Sequence, residues 1–478
     1  MASLPHMRQR LLRVSDLRHF SYRASWIEYF QVADLRPIRC TAWFGTAVAF
    51  SRLEIHENEG PLRIRLLLCV SFLASVAMAQ TSDARISLPD LISAALKNNP
   101  EVVAAQKKYE AARQRPTQES SLPDPMVSLG YASVGRPWPG AGLGTEPVAN
   151  IGMMFSQELP YPGKLKLKGE MASKEAQAEY DAYQSVELNV ISRLKQAYYR
   201  IQYTYAAVDL LTRNRTLLEK LLSVTESRYS VGKAAQQDVF KAQTQISILE
   251  TRLVKLEQER AAREAELNSL LNRPAGSPVG RPEEVKPKPL MANVEELFAS
   301  AKQNSPMLAR DQKMIQRSEL AVNMARKEYY PDVTLNAGYY NMGSMPPMYE
   351  LRADVKLPLY FWRKQRAGVA EQVNTLVQTR RSYEATGQSL LFRIKEDYTM
   401  AQASQRLMDL YTRNVVPQAN LALESSLSTY ETGSVDFLSV ISNFTMVLDY
   451  EMGYYDEALN FALALSRLEE MTAQRLID

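Results

Sequence analysis

The sequence predicts a mainly α-helical protein with a transmembrane β portion, in which one structural plan occurs twice. Three observations support this prediction: a collinear internal duplication, helical segments far longer than a globular core requires, and four short segments of strict apolar–polar alternation. Strand pairs set between such long helices are unusual.

The first 79 residues predict a leader. Two arginines precede an apolar segment, 66–76, that is too short to span a bilayer, and an Ala-Met-Ala cleavage site follows directly before Gln80. We therefore expect a signal peptide at 62–79 and a mis-assigned start over 1–61, with an unusually long charged region as the alternative. Export excludes a cytoplasmic protein.

Charge and residue types exclude several functions. The first 79 residues hold ten arginines against six acidic residues, which accounts for the net charge of +4 of the whole chain. The remainder is balanced and offers no basic field for nucleic acid. All three histidines and both cysteines also lie before residue 80. The exported chain therefore lacks His- or Cys-based catalytic triads and zinc sites, and we expect neither an enzyme nor a cofactor.

The duplication divides the exported chain into a first repeat, 80–284, and a second repeat, 285–478. A Pro-rich stretch, 273–290, lies between them and predicts an extended linker. The matching positions stay collinear, at offsets between 198 and 208 residues. They are Leu91 with Leu297, Ala95 with Ala301, Pro100 with Pro306, Pro123 and Asp124 with Pro331 and Asp332, Gly130 and Tyr131 with Gly338 and Tyr339, Leu159 and Pro160 with Leu357 and Pro358, and Tyr229 and Gly232 with Tyr430 and Gly433.

Each repeat predicts a first helix, two strands, a very long helix, a turn and a returning helix. The first helix covers roughly 88–115 or 294–328, and the long helix covers roughly 163–229 or 363–431. A helix of about 67 residues reaches roughly 100 Å. The returning helices carry apolar residues at alternating spacings of three and four, which predicts supercoiled packing. In the first repeat these are Val239, Ala242, Ile246, Leu249, Leu253 and Leu256.

Four segments predict membrane strands, at about 124–133, 148–158, 331–341 and 349–359. Alternation is clearest in the fourth, where Arg352, Asp354 and Lys356 form a polar face that we assign to a barrel lumen. Four strands cannot close a barrel, and open edges in lipid leave backbone groups unpaired. Chains must therefore pool their strands, and this argument allows three or four copies. The alternative is two soluble hairpins that cap a helical rod.

The chain resembles the TolC family of outer-membrane efflux proteins over about 88–470. The resemblance is carried by LISAALKNNP at 91–100, QELPYPGKLKL at 157–167 and RYSVGKAAQQDVFKA at 228–242. It implies a homotrimer with a 12-stranded barrel in outer-membrane lipid and a periplasmic α-helical tunnel. The expected function is a passive exit duct, which receives small molecules or metal ions from a periplasmic adaptor and an inner-membrane pump of the RND type. The LPYPGK turn is similar to the heavy-metal CusC and CzcC branch. The alternative is a periplasmic coiled-coil adaptor.

The two turns between long and returning helices correspond to the periplasmic tips of that family. The resemblance assigns adaptor contact to Val231, Gly232, Thr432 and Gly433. A local explanation is also open, because glycine after a helix end supplies the positive φ that a chain reversal needs. The two interpretations are compatible.

The resemblance also suggests a gate near the tips. Tyr430 and Asp238 match two positions that link helices in the closed tunnel, and a tyrosine hydroxyl can donate to a carboxylate. Val435 replaces the linking arginine of well-known members. Their ring-forming aspartates fall on Ser439 and Ser442, so Asp436 is the nearest remaining acid. For Asp238 and Asp436 the alternative role is a carboxylate at a helix N-terminus, which the helix dipole favours.

A methionine group lies between the third and fourth predicted strands. Met342, Met345 and Met348 fall in a segment predicted to be a Pro-containing outer loop. Thioethers are soft ligands for Cu(I) or Ag(I), which suggests transient metal contact. The alternative is an apolar loop.

Overall fold

A computed structural model describes residues 85–134, 137–284 and 288–476. The predicted leader, 1–79, lies outside these ranges. Within them, no helix combines the length and the apolar character that crossing a bilayer requires.

The described part of the first repeat contains five helices and two strands. In chain order they are α1 (Leu88–Asn98), α2 (Pro100–Ala112), α3 (Arg115–Ser120), β1 (Met126–Ala132), β2 (Asn150–Leu159), α4 (Lys164–Ser230) and α5 (Gln236–Leu270). The single helix expected over 88–115 is therefore wrong, since it breaks at Asn99. That residue precedes a proline, which disfavours the helical conformation, and its side chain caps α2 by accepting from the Glu101 and Val102 amides.

The second repeat follows the same order. Its elements are α6 (Val294–Asn304), α7 (Pro306–Lys327), β3 (Asp332–Met342), β4 (Met345–Lys356), α8 (Lys364–Leu410), α9 (Val416–Thr432) and α10 (Phe437–Thr472). The helix expected over 294–328 also breaks before a proline, at Ser305. The helix expected over 363–431 is interrupted by a π-helical turn, Tyr411–Val415, just before Pro417. Proline lacks the amide proton that would continue the regular helical bonding at this point.

The four strands form one antiparallel sheet in the order β1-β2-β3-β4. Its middle pair joins the two repeats, with Phe155 opposite Ala337. A turn of only two residues, Gly343 and Ser344, connects β3 to β4. The fourth strand begins at Met345, ahead of the expected start at 349. The prediction of a methionine-bearing loop is therefore wrong.

The two faces of the sheet differ sharply in polarity. Large apolar side chains on one face are exposed, with Leu129 79% and Leu351 88% accessible. Cross-strand rows keep this face apolar, as in the row Val127, Phe155, Ala337 and Leu351. Polar side chains occupy the other face, where Ser156 and Asn336 are buried.

The long helices pack around two apolar clusters. One cluster includes Leu194, Tyr198, Leu297, Ile394 and Leu465, and draws on both repeats. The other follows the paired helices towards the tips, and includes Leu218 and Phe444. The heptad residues Val239, Ala242, Leu249 and Leu256 are buried, as the supercoil pattern requires.

Candidate functional site

The two tip turns follow the C-terminal ends of α4 and α9. Gly232 has φ 70° and Gly433 has φ 86°, the left-handed conformation expected for a reversal between helices. Gly433 lies at the C-terminal cap of α9, and Val231 beside Gly232 is exposed. Both turns therefore present their backbones at the surface, where the adaptor contact of Val231, Gly232, Thr432 and Gly433 remains a prediction.

One arginine connects the two tips. The Arg228 guanidinium donates to the carbonyl oxygens of Tyr430 and Glu431, the latter at 2.8 Å, and to that of Lys233 at 3.4 Å. It also lies 4.6 Å from the centre of the Tyr430 ring. Arg228 stands inside the turn motif, but the duplication does not single it out, because the equivalent residue in the second repeat is Thr429.

Tyr430 is buried between its neighbours in the same protomer. Its ring lies 5.6 Å from the Phe437 ring, and its hydroxyl is 3.5 Å from Thr225 Oγ1. Only 4% of Tyr430 is accessible. The expected bond to Asp238 is not formed within the described chain, where the hydroxyl donates to Thr225 instead.

The acidic residues near the tips serve local roles in this conformation. Asp436 caps α10 by accepting from the Ser439 amide at 3.3 Å and from the Ser439 hydroxyl. These bonds hold the pKa of Asp436 below its ordinary value, the hydroxyl bond being the main cause. Asp238 lies in the first turn of α5, where the helix dipole favours a carboxylate. Ser442 is exposed. A gating role for these residues remains a prediction.

A hydrogen-bonded ladder crosses the polar face of the sheet. Asn336 accepts from Ser156 Oγ at 2.5 Å and donates to Asp354 Oδ2 at 2.8 Å. Arg352 bridges onward, with Nε 3.0 Å from Asp354 Oδ1 and Nη1 3.3 Å from Glu350 Oε1. These five polar side chains share one face of the sheet without apolar cover, since each bonds a neighbour.

Lys356 lies at the end of that face, opposite Asp332 in the strand register. The assignment of Arg352, Asp354 and Lys356 to one polar face therefore agrees with the sheet, while their assignment to a lumen remains a prediction. Asn336 and Glu350 join them, and the alternation of β3 and β4 already indicated both.

A buried ion pair fixes the junction between the repeats. Lys164 Nζ lies 2.9 Å from both carboxylate oxygens of Asp332, and only 3% of the Lys164 side chain is accessible. The Tyr161 amide donates to the same carboxylate at 2.7 Å, and the Tyr161 ring stacks on Tyr330 with centres 4.4 Å apart. The start of α4 and the start of β3 are thereby held together.

The three methionines lie on the strands rather than in a loop. Met342 and Met345 are opposite each other across the two-residue turn, and Met348 is opposite Tyr340. Two thioethers are thus neighbours at the end of the hairpin. Contact with soft metal ions remains a prediction.

The family model described as outer membrane efflux protein matches residues 91–273 and 297–469, one segment in each repeat. The probable outer membrane lipoprotein SilC of Salmonella typhimurium is 20% identical over 73% of this chain and 78% of its own. Outer membrane protein TolC of Vibrio cholerae is 21% identical over 80% of this chain and 90% of its own. The solved outer-membrane channel OprN shares the fold with a TM-score of 0.70, at 17% identity over 81% of this chain and 90% of its own.

These matches confirm the predicted TolC-like fold and the predicted function, an outer-membrane efflux channel that extends into the periplasm. They do not support the alternative of a periplasmic adaptor. With most of both repeats matched, the chain belongs to the outer membrane efflux protein family.

Proposed function

We propose that three copies of this chain form a passive exit duct, with twelve strands in a barrel and the long helices in a periplasmic tunnel. One observation carries the proposal: the sheet has an exposed apolar face, a hydrogen-bonded polar face and two edges, on β1 and β4, without partners in the described chain. In lipid the edge groups need partners, and the smallest barrel that leaves a lumen needs more than eight strands.

Two measurements on the purified protein test this proposal. We expect a heat-modifiable trimer in the outer-membrane fraction that requires detergent, and ohmic single-channel currents in planar bilayers. A water-soluble monomer that needs no detergent would contradict the proposal. Trimers without conductance would contradict the role as a duct.

The tips support docking onto a periplasmic adaptor that serves an RND-type inner-membrane pump. Both turns are exposed, and nothing lies within 4 Å of a Cβ built on Gly232. A long charged side chain there would meet the partner rather than the protein itself. We expect Gly232→Lys with Gly433→Lys to abolish efflux while trimers still form.

The control is Gly276→Lys in the linker between the repeats, which is also exposed and free of contacts around its Cβ. It should leave efflux unchanged. Full efflux in the double tip variant would remove the docking assignment.

The cargo is a small molecule or a metal ion. The polar ladder on β2 to β4 supports a hydrated path through the barrel. Drug and metal-ion susceptibility of a deletion strain, with and without this protein and its cognate pump, separates the two classes. Rescue restricted to Ag(I) or Cu(I) would assign metal ions, and loss of that rescue in a Met342→Leu, Met345→Leu, Met348→Leu variant would assign the methionines.

A further inference from the structure

The junctions between strand and long helix differ in environment. At the first, Lys164 begins α4 and is buried against Asp332. At the second, Lys364 begins α8 and is exposed. The residue equivalent to Asp332 in the first repeat is Asp124, which is also exposed. In the described chain neither Lys364 nor Asp124 forms an ion pair.

The apolar residues around the second junction are exposed as well. Tyr161 at the first junction is stacked on Tyr330. Tyr360 and Trp362 at the second junction are 68% and 56% accessible. Leu122, the equivalent of Tyr330, is also exposed. The second junction thus has a lysine and aromatic side chains, as the first does, but no described segment packs over them.

The duplication relates strand pairs quantitatively. The first strands of the repeats differ by 208 residues, from Asp124 and Asp332, and the second strands by 198, from Leu159 and Leu357. Applied to the β1–β2 pair Met126 and Ser156, these offsets give Thr334 and Asp354, which are paired in β3–β4. The offsets read from sequence therefore reproduce an independent strand register.

The same offsets convert the pairing between the repeats, β2 with β3, into a pairing between two copies, β4 with β1. We call this β4–β1 pairing the seam. We propose, on the basis of the trimeric duct above, that β4 pairs with β1 of a second copy in the register of β2 with β3. The pair Gln157–Leu335 then gives Val355 opposite Val127 of the partner subunit. The pair Phe155–Ala337 gives Ala353 opposite Leu129 of the partner subunit.

The polarity of the residues that the offsets place opposite each other is an independent check on the proposed register. Both derived pairs are apolar on both sides, and Asp354 falls opposite Ser128 of the partner subunit on the polar face. A slip of one residue would exchange the faces across the seam. The register therefore continues the apolar and polar faces around the barrel.

Strand tilt provides a second check. The row that begins at Val127 passes through Phe155, Ala337 and Leu351, and the derived seam continues it to Tyr131 of the partner subunit. Each protomer thus displaces the row by four residues over four strands. With a rise of about 3.4 Å and a strand spacing of about 4.8 Å, the tilt is about 35°, within the range of outer-membrane barrels.

The inferred seam also supplies the missing ion pair. Lys364 starts α8 as Lys164 starts α4, with two more residues between strand and helix than in the first repeat, and Asp124 of the partner subunit takes the place of Asp332. These opposite charges are complementary across the seam, and three copies would form three such pairs. The barrel is thus tied to the helices between copies in the same way as within one copy.

Cysteine cross-linking tests the register with four double variants in detergent-solubilised protein. The matched pairs are V355C with V127C and A353C with L129C. The mismatched pairs use the same cysteines, A353C with V127C and V355C with L129C. Opposite Cβ atoms lie about 5 Å apart and diagonal ones about 7–8 Å, while a disulfide needs about 4 Å. We expect at least about fivefold more linked dimers and trimers from the matched pairs.

Intramolecular links do not confuse this assay. Strands β1 and β4 of one protomer are separated by three strand spacings, about 14 Å, so every disulfide must join two copies. The chain has no native cysteine after Cys69, and single-cysteine variants give the background.

The outcomes separate this inference from the proposed function. Stronger linking of the mismatched pairs overturns the register and leaves the trimer intact. Absence of any link, in protein that lysine-directed cross-linkers still trap as a trimer, overturns the β1–β4 seam alone. A monomer in both assays overturns the seam and the duct together.

A charge exchange tests the ion pair. Lys364→Glu should lower the temperature at which trimers dissociate by several degrees, and adding Asp124→Lys should restore it. Lys166→Glu, at an exposed lysine two residues into α4, should have little effect. Failure of the double variant to recover overturns the pair, whereas the disulfide assay tests the register independently.

Discussion

Arg228 lies over the ring of Tyr430 and also donates to its carbonyl oxygen. One side chain thus connects the last turn of α4 to the last turn of α9. The carbonyl groups at a helix C-terminus carry a partial negative charge and lack partners inside the helix. A planar cation with several donors suits this position better than a lysine would. The two tip turns are consequently held as one unit.

Removing this side chain should loosen the tips. We expect Arg228→Ala to destabilise each protomer by about 2 kcal/mol, from the loss of charged hydrogen bonds and a cation–π contact. It should also raise single-channel conductance, since the tip ends of α4 and α9 lose their link. Arg252→Ala, which removes an exposed pair with Asp449 at 3.5 Å, is the control and should change neither. Unchanged conductance in Arg228→Ala would contradict a role of the tips in closure.

The hydroxyl of Tyr430 should matter much less than its ring. Its distance of 3.5 Å from Thr225 Oγ1 indicates a weak bond inside one protomer. We expect Tyr430→Phe to change stability by less than about 1 kcal/mol and to leave conductance unchanged, whereas Tyr430→Ala should destabilise by about 3 kcal/mol. Thermal unfolding followed by circular dichroism and planar-bilayer recording measure the two effects. Raised conductance in Tyr430→Phe would instead support the latch to Asp238.

The two tip glycines should respond unequally to alanine. Both have positive φ, so each substitution should cost about 1 kcal/mol of strain. A Cβ at Gly433 would also meet Arg228 Nη2 at 3.4 Å, while one at Gly232 would meet nothing within 4 Å. We expect Gly433→Ala to lower the unfolding temperature more than Gly232→Ala. Equal effects, or a reversed order, would show that Arg228 does not crowd the second tip.

The cap on α10 should give a defined pH dependence. The pKa of Asp436 is lowered from 3.8 in the folded chain, chiefly by the Ser439 hydroxyl. A lowered pKa means that the ionised cap stabilises the fold above the unfolded value and that this contribution is lost as the pH falls through the folded pKa. Asp436→Asn keeps an acceptor without the charge.

We therefore expect the stability difference between the native chain and Asp436→Asn to be constant above pH 5 and to shrink as the pH falls below 3.8 and through the lowered pKa of the folded chain. Unfolding temperatures across this range measure it. Asp436→Ala should be less stable than Asp436→Asn at every pH, because it also loses the cap. A difference that persists at low pH would show that the charge is not the cause.

A buried ion pair joins the middle of α4 to the end of α10. Lys195 donates to Glu469, both side chains are less than a tenth accessible, and the Leu476 amide donates to the same carboxylate at 2.6 Å. We expect Lys195→Met to destabilise by about 3–5 kcal/mol, because Glu469 is left buried without its cation. Adding Glu469→Leu should recover most of that loss. If the double variant is as unstable as the single one, packing rather than charge explains the effect.

Much of the fold follows from local pattern. Alternation along β4 assigns Arg352 and Asp354 to one face, because side chains on a strand alternate with a period of two. The spacing from Val239 to Leu256 assigns the buried face of α5, because that period matches packed helices. Helix breaks were less visible. The prolines at 100 and 306 mark the duplication, and each also disfavours the helical conformation at the residue before it, which is where the helices break.

By itself the sequence determined the duplication, the order of helices and strands, the polarity of each strand face and the turns at Gly232 and Gly433, because all of these depend on spacing along the chain. Only the tertiary structure decided the partners. Arg228 with Tyr430, Lys164 with Asp332 and Ser156 with Asn336 join residues more than 150 positions apart. Such contacts depend on how helices and strands pack in space. The spacing of residues along one segment does not determine which distant segment will lie beside it.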